Sequence, residues 1–419
     1  MIICKSVLYL HAVALVGIVG GGQVVFKDDG IFLFLQLFVG LFIAHGPHHG
    51  KGAQLLRNAQ RKVALAVAVG NEVGAAHEVE HQLADQGQQR LVFIAFFGRA
   101  ANQQAAHGIG SGCGKATCIR ALSEGLGGAE EYIHCSSDPD SLDGAVLSDR
   151  VLLDGTAPHV FEPLFPGCDG DYLTLPPFVD RAGLEGKKEA LYALKAASKA
   201  HYEGAYRTLA AAAKVRQERR QTAGALLPEQ GPEKRVHGLL QREIPKTNRP
   251  GQLRLRFLDG ITPKGLLCFY DTVTQNTRRI IALRDSFGLG QPMLEGLRDG
   301  ALARGQLVYA CMDPLEPGRV RHLLLPDCGL AFVTDADGQL PFAPTRTIRL
   351  DAMAAGEGLR QARGRLRLLG KLEQELLEDA VQHIAAAHDL HDRMEDLYRP
   401  HVDFDVLEAC FQAHLARMA

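Results

Sequence analysis

The chain repeats itself, and the repeat constrains its fold more than any other feature. The loop Gly112-Cys113-Gly114 recurs as Gly288-Leu289-Gly290, an offset of 176 (288 − 112). Cys135, after the apolar pair Tyr132-Ile133, recurs at the same offset as Cys311 after Val308-Tyr309. The Ala-rich stretch 205–212 (AYRTLAAA) recurs as 380–387 (AVQHIAAA), an offset of 175 (380 − 205). Ala-rich helices resemble one another, so the last match is weak alone. Three anchors at nearly one spacing define two related halves in tandem.

Texture along the chain follows this division. Residues 1–107 are apolar, then rich in Gln, Ala and His, with little periodicity. Residues 108–177 alternate short apolar runs with Gly and Asp clusters, as βα units do. Residues 178–222 carry apolar residues at helical spacing (Leu191, Leu194, Ala197, then Tyr202, Tyr206, Leu209). Residues 223–252 hold four prolines with Gly and charge and read as a linker. Residues 253–345 return to the βα texture, and 355–419 to long helices. The expected organisation is therefore a first α/β domain with a helical arm over 108–222, a linker over 223–252, and a second such domain over 253–419.

Composition narrows the class. With 46% hydrophobic and 22% charged residues, the 419-residue chain is globular and long enough for two or three domains. A net charge of −2 gives no sign of wholesale nucleic-acid binding. Nine cysteines without a CxxC pair argue against a disulfide scaffold or zinc ribbon and favour a reducing, cytoplasmic setting. Residues 7–25 and 31–44 are largely apolar. The second run, of 14 residues, falls short of the ~20 needed to span a bilayer. A membrane role is therefore not expected; buried strands, a membrane-inserted hairpin and a signal peptide with a thin positive region at Lys5 stay open.

Chemistry concentrates in three strings. The first is Gly110-Ser111-Gly112-Cys113-Gly114-Lys115-Ala116-Thr117. Glycines let successive N–H groups turn inward around phosphate oxygens, and the following helix presents its N-terminus to the same anion. Lys115 adds a point charge on the β/γ-phosphates. The match to G-x-x-x-x-G-K-[ST] is imperfect. Ile109 holds the first Gly position between Gly108 and Gly110, and Ala116 stands where a hydroxyl reaches Mg²⁺, with Thr117 next. A plain helix-entry turn is the simpler alternative.

The second string is VLLDGTAPH, Val151 to His159. An apolar strand ending in Asp154 sets a carboxylate where it can hold a metal's water opposite a phosphate loop. Asp154 could equally cap its strand. Thr156 and His159 lie where a γ-phosphate sensor or base could stand, although a structural histidine is the commoner outcome. The third string, YIHCSSDPDSLDG from Tyr132 to Gly144, runs a short strand into a loop of hydroxyls and carboxylates. Such a loop faces a nucleotide or its acceptor, or is a solvated turn. Cys135 in a strand is core more often than nucleophile. No Ser/His/Asp or Cys/His triad is legible.

HCSSDPDSLDG, VLLDGTAPHV, the Ala-rich helices and the repeat led by LDGITPKG (258–265) resemble an uncharacterised bacterial (Firmicutes-type) tandem P-loop ATPase family. The likeness covers about residues 110–419, and DGTAPH is its most specific part. It implies α/β architecture, two tandem P-loop NTPase-like domains with mainly parallel sheets and helical arms. It also implies ATP binding and hydrolysis, without naming a substrate. On that reading Gly110, Ser111, Gly112, Cys113, Gly114, Lys115, Ala116 and Thr117 hold ATP, Thr117 and Asp154 serve Mg²⁺, and Lys115, Asp154 and His159 serve catalysis. A nucleotide or small-molecule kinase, using Ser137, Asp138 or His159 near the acceptor, and a non-hydrolysing switch module are the rivals. Ala116 favours the switch.

The sequence departs from the family twice. In the second half Gln291 replaces the loop lysine, Pro292 the Ser/Thr and Asp285 the first Gly, while Thr334 and then Asp335 stand at the place of Asp154. Gln supplies no charge, and a carboxylate in a phosphate nest repels an anion. That half reads as structural or regulatory. At the front, residues 1–107 lack an equivalent of Gly260–Gly265, and the segment reads as a frameshifted or misassigned start. The first half then lacks its central strand unless residues 91–97 substitute.

Overall fold

The computed structural model describes residues 2–3, 90–94, 114–154, 170–173, 179–226, 231–353 and 356–418. Fourteen strands and eight α-helices lie in them. The first half holds β1 (Ile2–Ile3), β2 (Arg90–Ile94), α1 (Lys115–Gly125), β3 (Glu131–Cys135), β4 (Leu142–Val146), β5 (Arg150–Asp154), β6 (Gly170–Tyr172), α2 (Arg181–Glu185) and α3 (Lys188–Gly224). After α4 (Gly231–Glu243), the second half holds β7 (Gln252–Arg256), β8 (Asp259–Thr262), β9 (Gly265–Cys268), α5 (Tyr270–Asn276) and β10 (Arg279–Arg284). It continues with α6 (Gln291–Leu302), β11 (Leu307–Met312), β12 (Val320–Leu325), β13 (Leu330–Asp335), β14 (Arg346–Arg349), α7 (Gly356–Tyr398) and α8 (Phe404–Met418).

Two six-stranded sheets carry one topology. The first runs β1-β3-β4-β5-β2-β6, and the second, in matching order, β7-β11-β12-β13-β10-β14. In each, three pairings are parallel and two antiparallel, at the same places in the order. The fold is thus mixed α/β, its sheets mostly parallel, and the repeat is real at the level of strand order. β2 pairs with β5 and β6 as β10 pairs with β13 and β14, so a segment at 90–94 takes the central place questioned from the sequence.

Register corrects one anchor. The helices begin 176 apart, at Lys115 and Gln291. The bulge in the β3 ladder falls between Ile133 and His134, and that in the β11 ladder between Cys311 and Met312, an offset of 178 (311 − 133). Cys311 therefore corresponds to Ile133 rather than Cys135. The same offset lays Asp138-Pro139 on Glu316-Pro317. Leu153 pairs with Gly144 and Val333 with His322, which puts Thr334 in the place of Asp154.

Period-two alternation sorts each strand's side chains between two faces. Leu142, Ala145 and Leu152 join the apolar cluster around Cys118, Ile119 and Leu122 of α1. Their counterparts Val320, Leu323 and Phe332 join the cluster around Met293, Leu294 and Leu297 of α6. Ile133, Val146, Val151 and Leu153, on the opposite face of the first sheet, belong to that same large cluster.

The segment read as a linker is largely helix. In α4, Val236, Leu239 and Leu240 lie on one face and pack on α6. Gly296 and Gly300 let the helices approach, since a Cβ at Gly300 would stand 2.4 Å from Leu240 Cδ1. Pro232 sits in the first turn of α4, where its missing N–H costs nothing, so proline density alone misleads there. The other end of the chain mirrors this. Leu407 and Phe411 of α8 pack on α1 of the first half, and a Cβ at Gly125 would stand 2.6 Å from Leu415 Cδ2. Each half thus sends its last helix to the other, and the expected boundary between 222 and 253 does not divide the core.

The arms α3 and α7, 37 and 43 residues long, pack antiparallel. Ser198 Oγ meets Ala387 O, Thr208 Oγ1 meets Asp379, and Arg216 meets Glu373. The repeated alanines Ala205, Ala212, Ala380 and Ala387 are all fully buried, where their small side chains admit close approach. His201 and His383 face each other at 3.0 Å between Nδ1 atoms. Among the described residues no helix is long and apolar enough to cross a membrane.

Candidate functional site

β3, β5 and β2 share one direction in the first sheet, so their carboxyl ends lie along one edge. At that edge an open α/β sheet binds its ligands. Gly114, with φ of 74°, turns the chain into α1. Lys115 is the first residue of that helix, and its Nζ lies 3.3 Å from Oδ2 of Asp154 at the end of β5. The pair is sheltered, with side-chain exposures of 20% and 11%. The two residues read from the sequence as loop lysine and strand-end carboxylate are therefore neighbours, 39 positions apart in the chain (154 − 115).

The remaining expected site residues divide. Ala116 is half-buried against the cluster holding α8, and Thr117 is exposed. Gly110, Ser111, Gly112, Cys113, Thr156 and His159 lie outside the described residues. The loop after β3 reaches the same edge and is held in shape. His134 Nδ1 donates to Pro139 O at 2.8 Å, Cys135 N–H to Ser141 O at 3.1 Å, and Ser141 N–H to Asp138 O at 2.9 Å. Burial pushes the His134 imidazole below its ordinary value. Lys264 in the β8–β9 turn reaches over to Asp140 at 2.7 Å, and His388 of α7 stands 4.0 Å from Asp138. The GITPKG element thus braces the first half's loop from the second half.

The corresponding edge of the second half carries different chemistry. Asp285 Oδ1 accepts from Leu289 N–H and Oδ2 from Gly290 N–H, each at 2.7 Å. Gln291 turns along its own helix and donates to Glu295 at 2.6 Å. Asp335 takes its cation from the neighbouring strand, with Arg284 Nε at 3.4 Å. The expectation that Asp285 repels a ligand understates its part, because its carboxylate occupies the loop amides itself.

A chain of buried charge, not read from the sequence, joins the second sheet to the arms. Arg321 contacts Asp259 and donates to Asp313 at 3.1 Å; Arg216 bridges Asp313 at 3.1 Å and Glu373 at 2.7 Å; Arg219 meets Glu373 at 3.1 Å. The spacing of Arg216, Arg219 and Arg220, at one helix face, was the available signal. Beside it Asp259, Cys268 and His322 bring three ligand-type atoms within 4.8 Å of one another. Their hydrogen bonds describe a structural cluster instead. His322 Nδ1 accepts the Thr334 N–H at 3.1 Å, which puts the ring proton on Nε2, and that proton goes to Asp259 Oδ2 at 3.0 Å. Burial, then the Asp259 charge, raises the Cys268 thiol well above its usual range.

The halves also meet at Glu131. Arg256, fully buried, donates to its two oxygens at 2.7 and 3.1 Å. Burial alone would raise the Glu131 carboxyl, but the Arg256 hydrogen bonds and charge, with Arg254, outweigh it and hold the group below its ordinary value. Comparison with protein-family models, curated proteins and solved structures finds no match to this chain.

Proposed function

We propose that the chain is an ATP-binding protein of the tandem P-loop kind, taking one nucleotide with Mg²⁺ at the first half and hydrolysing it. The observation that carries this reading is the Lys115–Asp154 contact at the carboxyl edge of the sheet, directly after a glycine with positive φ. Lysine at a helix entrance suits phosphate oxygens, and a carboxylate at the adjacent strand end suits the water shell of Mg²⁺. Bound Mg²⁺ would neutralise charge developing on the transferred phosphoryl group. Lys115 would orient the phosphates, and Asp154 would orient the metal's water. The second half, with Asp285, Gln291 and Pro292 at its loop, serves as a structural or regulatory partner.

A non-hydrolysing nucleotide switch is the second reading. Ala116 favours it, because that position supplies no hydroxyl to a metal and Thr117 is exposed. Titration of the full chain with labelled ATP, with and without Mg²⁺, tests both readings beside a turnover assay. Saturable binding with turnover supports the first, and saturable binding without turnover the second. Absence of binding overturns both.

A further inference from the structure

The second half's loop, 285–290, already holds an anion, and the anion belongs to the chain. Asp285 is 4% exposed. Its two oxygens take the Leu289 and Gly290 amides. These donors stand between the carboxyl end of β10 and the first turn of α6, where loop amides and a helix entrance together favour negative charge. The fit is close: a Cβ at Gly290 would lie 2.9 Å from Asp285 Oδ2. On balance the Asp285 carboxyl lies above its ordinary value, because burial, with the Asp351 charge, outweighs the lowering by the loop amides.

The loop in turn abuts the α3 arm. Arg319 donates to Gly288 O at 3.3 Å, and the Arg219 guanidinium lies 5.6 Å from the Phe287 ring centroid. Arg220 binds both oxygens of Glu316, at 2.6 and 2.8 Å, on the loop corresponding to that after β3.

We infer that Asp285 substitutes for a bound phosphate and keeps the second loop permanently in a ligand-shaped state docked on the α3 arm. The inference rests on the reading of the second half as free of nucleotide. The shared arms then meet a fixed partner on the side of the second half.

Anion rescue tests this in full-length Lys115→Ala protein, where the first half's own phosphate response is weakened and measured alone. Adding Asp285→Gly opens the loop and lowers Tm. Inorganic phosphate, and pyrophosphate more strongly, then restores Tm by a few degrees, rising with the logarithm of concentration, while chloride at equal ionic strength does not. An unchanged Tm without phosphate, or a phosphate response no larger than that of Lys115→Ala alone, overturns the inference. Should Asp285→Gly fail to fold, Asp285→Asn carries the test. It fills the loop but loses the charge, so it melts below the parent and ignores phosphate. A Tm equal to the parent overturns the inference. Failure here leaves ATP binding at the first half untouched, since that is read from Lys115 with the second loop intact.

Discussion

The two loop–helix junctions occupy the same place in the same strand order and differ in the sign of what they hold. At the first, a cation enters: Lys115 begins α1 and leans on Asp154. At the second, an anion enters: Asp285 sits among the amides before α6, and Gln291 turns away along its helix. Asp335 keeps a cation, but takes Arg284 from strand β10 rather than a residue of the helix. A loop that contributes a carboxylate satisfies its amides internally. One scaffold can thus keep its sheet and helix while exchanging a ligand for a side chain, because the apolar residues that build it point away from the loop edge.

The largest effect is expected at the seam between the halves. Glu131→Gln leaves Arg256 buried with its charge uncompensated, which costs about 3–5 kcal/mol. Denaturant midpoints of the two proteins at pH 7 check this. The Glu131 carboxyl is held below its ordinary value, so its stabilisation is present above the unfolded carboxylate pKa of about 4.3 and disappears as pH falls through the lower folded value. The wild type–variant gap narrows below pH 4. A gap that persists at pH 2 would show that the pair contributes little.

Exchange of the terminal helices sharpens the comparison next. Leu407→Ala, in α8, costs about 2–5 kcal/mol and loosens α1 of the first half. Leu239→Ala, in α4, costs a similar amount and loosens α6 of the second half. Hydrogen exchange resolved by segment reads the difference. If Leu407→Ala instead exposes α6 amides and spares α1, the exchange of helices is wrong.

Sequence reasoning reached much of the fold and stopped at identifiable points. The repeat was legible because both copies carry short apolar runs between Gly and Asp clusters at nearly one spacing; strand order was not, since a strand's own residues do not say which strand it pairs with. The Cys135–Cys311 anchor slipped by two because identity was matched while the bulges at Ile133 and Cys311, which set register, leave no mark in composition. Helix α4 was hidden by Pro232 and the prolines flanking it, although Val236, Leu239 and Leu240 carried a helical face. That Lys115 and Asp154 lie side by side was legible, since a helix-entry loop and an adjacent strand end meet at one sheet edge. The role of Asp285 was not, because whether a carboxylate repels a ligand or replaces it depends on where two oxygens point.

Smaller effects concern the first junction alone. Lys115→Ala loses a charge-assisted contact of about 1.5–3 kcal/mol, so ATP affinity drops about tenfold to a hundredfold. Isothermal titration checks it, and an unchanged affinity would remove Lys115 from the site. Ala116→Ser gives the helix entrance a hydroxyl and is expected to raise Mg²⁺-dependent turnover modestly, read as phosphate release. Unchanged or lower turnover would assign the first half to the non-hydrolysing reading.

The most direct measurement is the number of nucleotides bound per chain. Calorimetric titration of the intact protein with ATP and Mg²⁺ should give one site, and Lys115→Ala should weaken that site while Gln291→Ala leaves it unchanged. Two sites per chain, or binding sensitive to Gln291 and indifferent to Lys115, would contradict the contrast between a cation-bearing and an anion-filled loop.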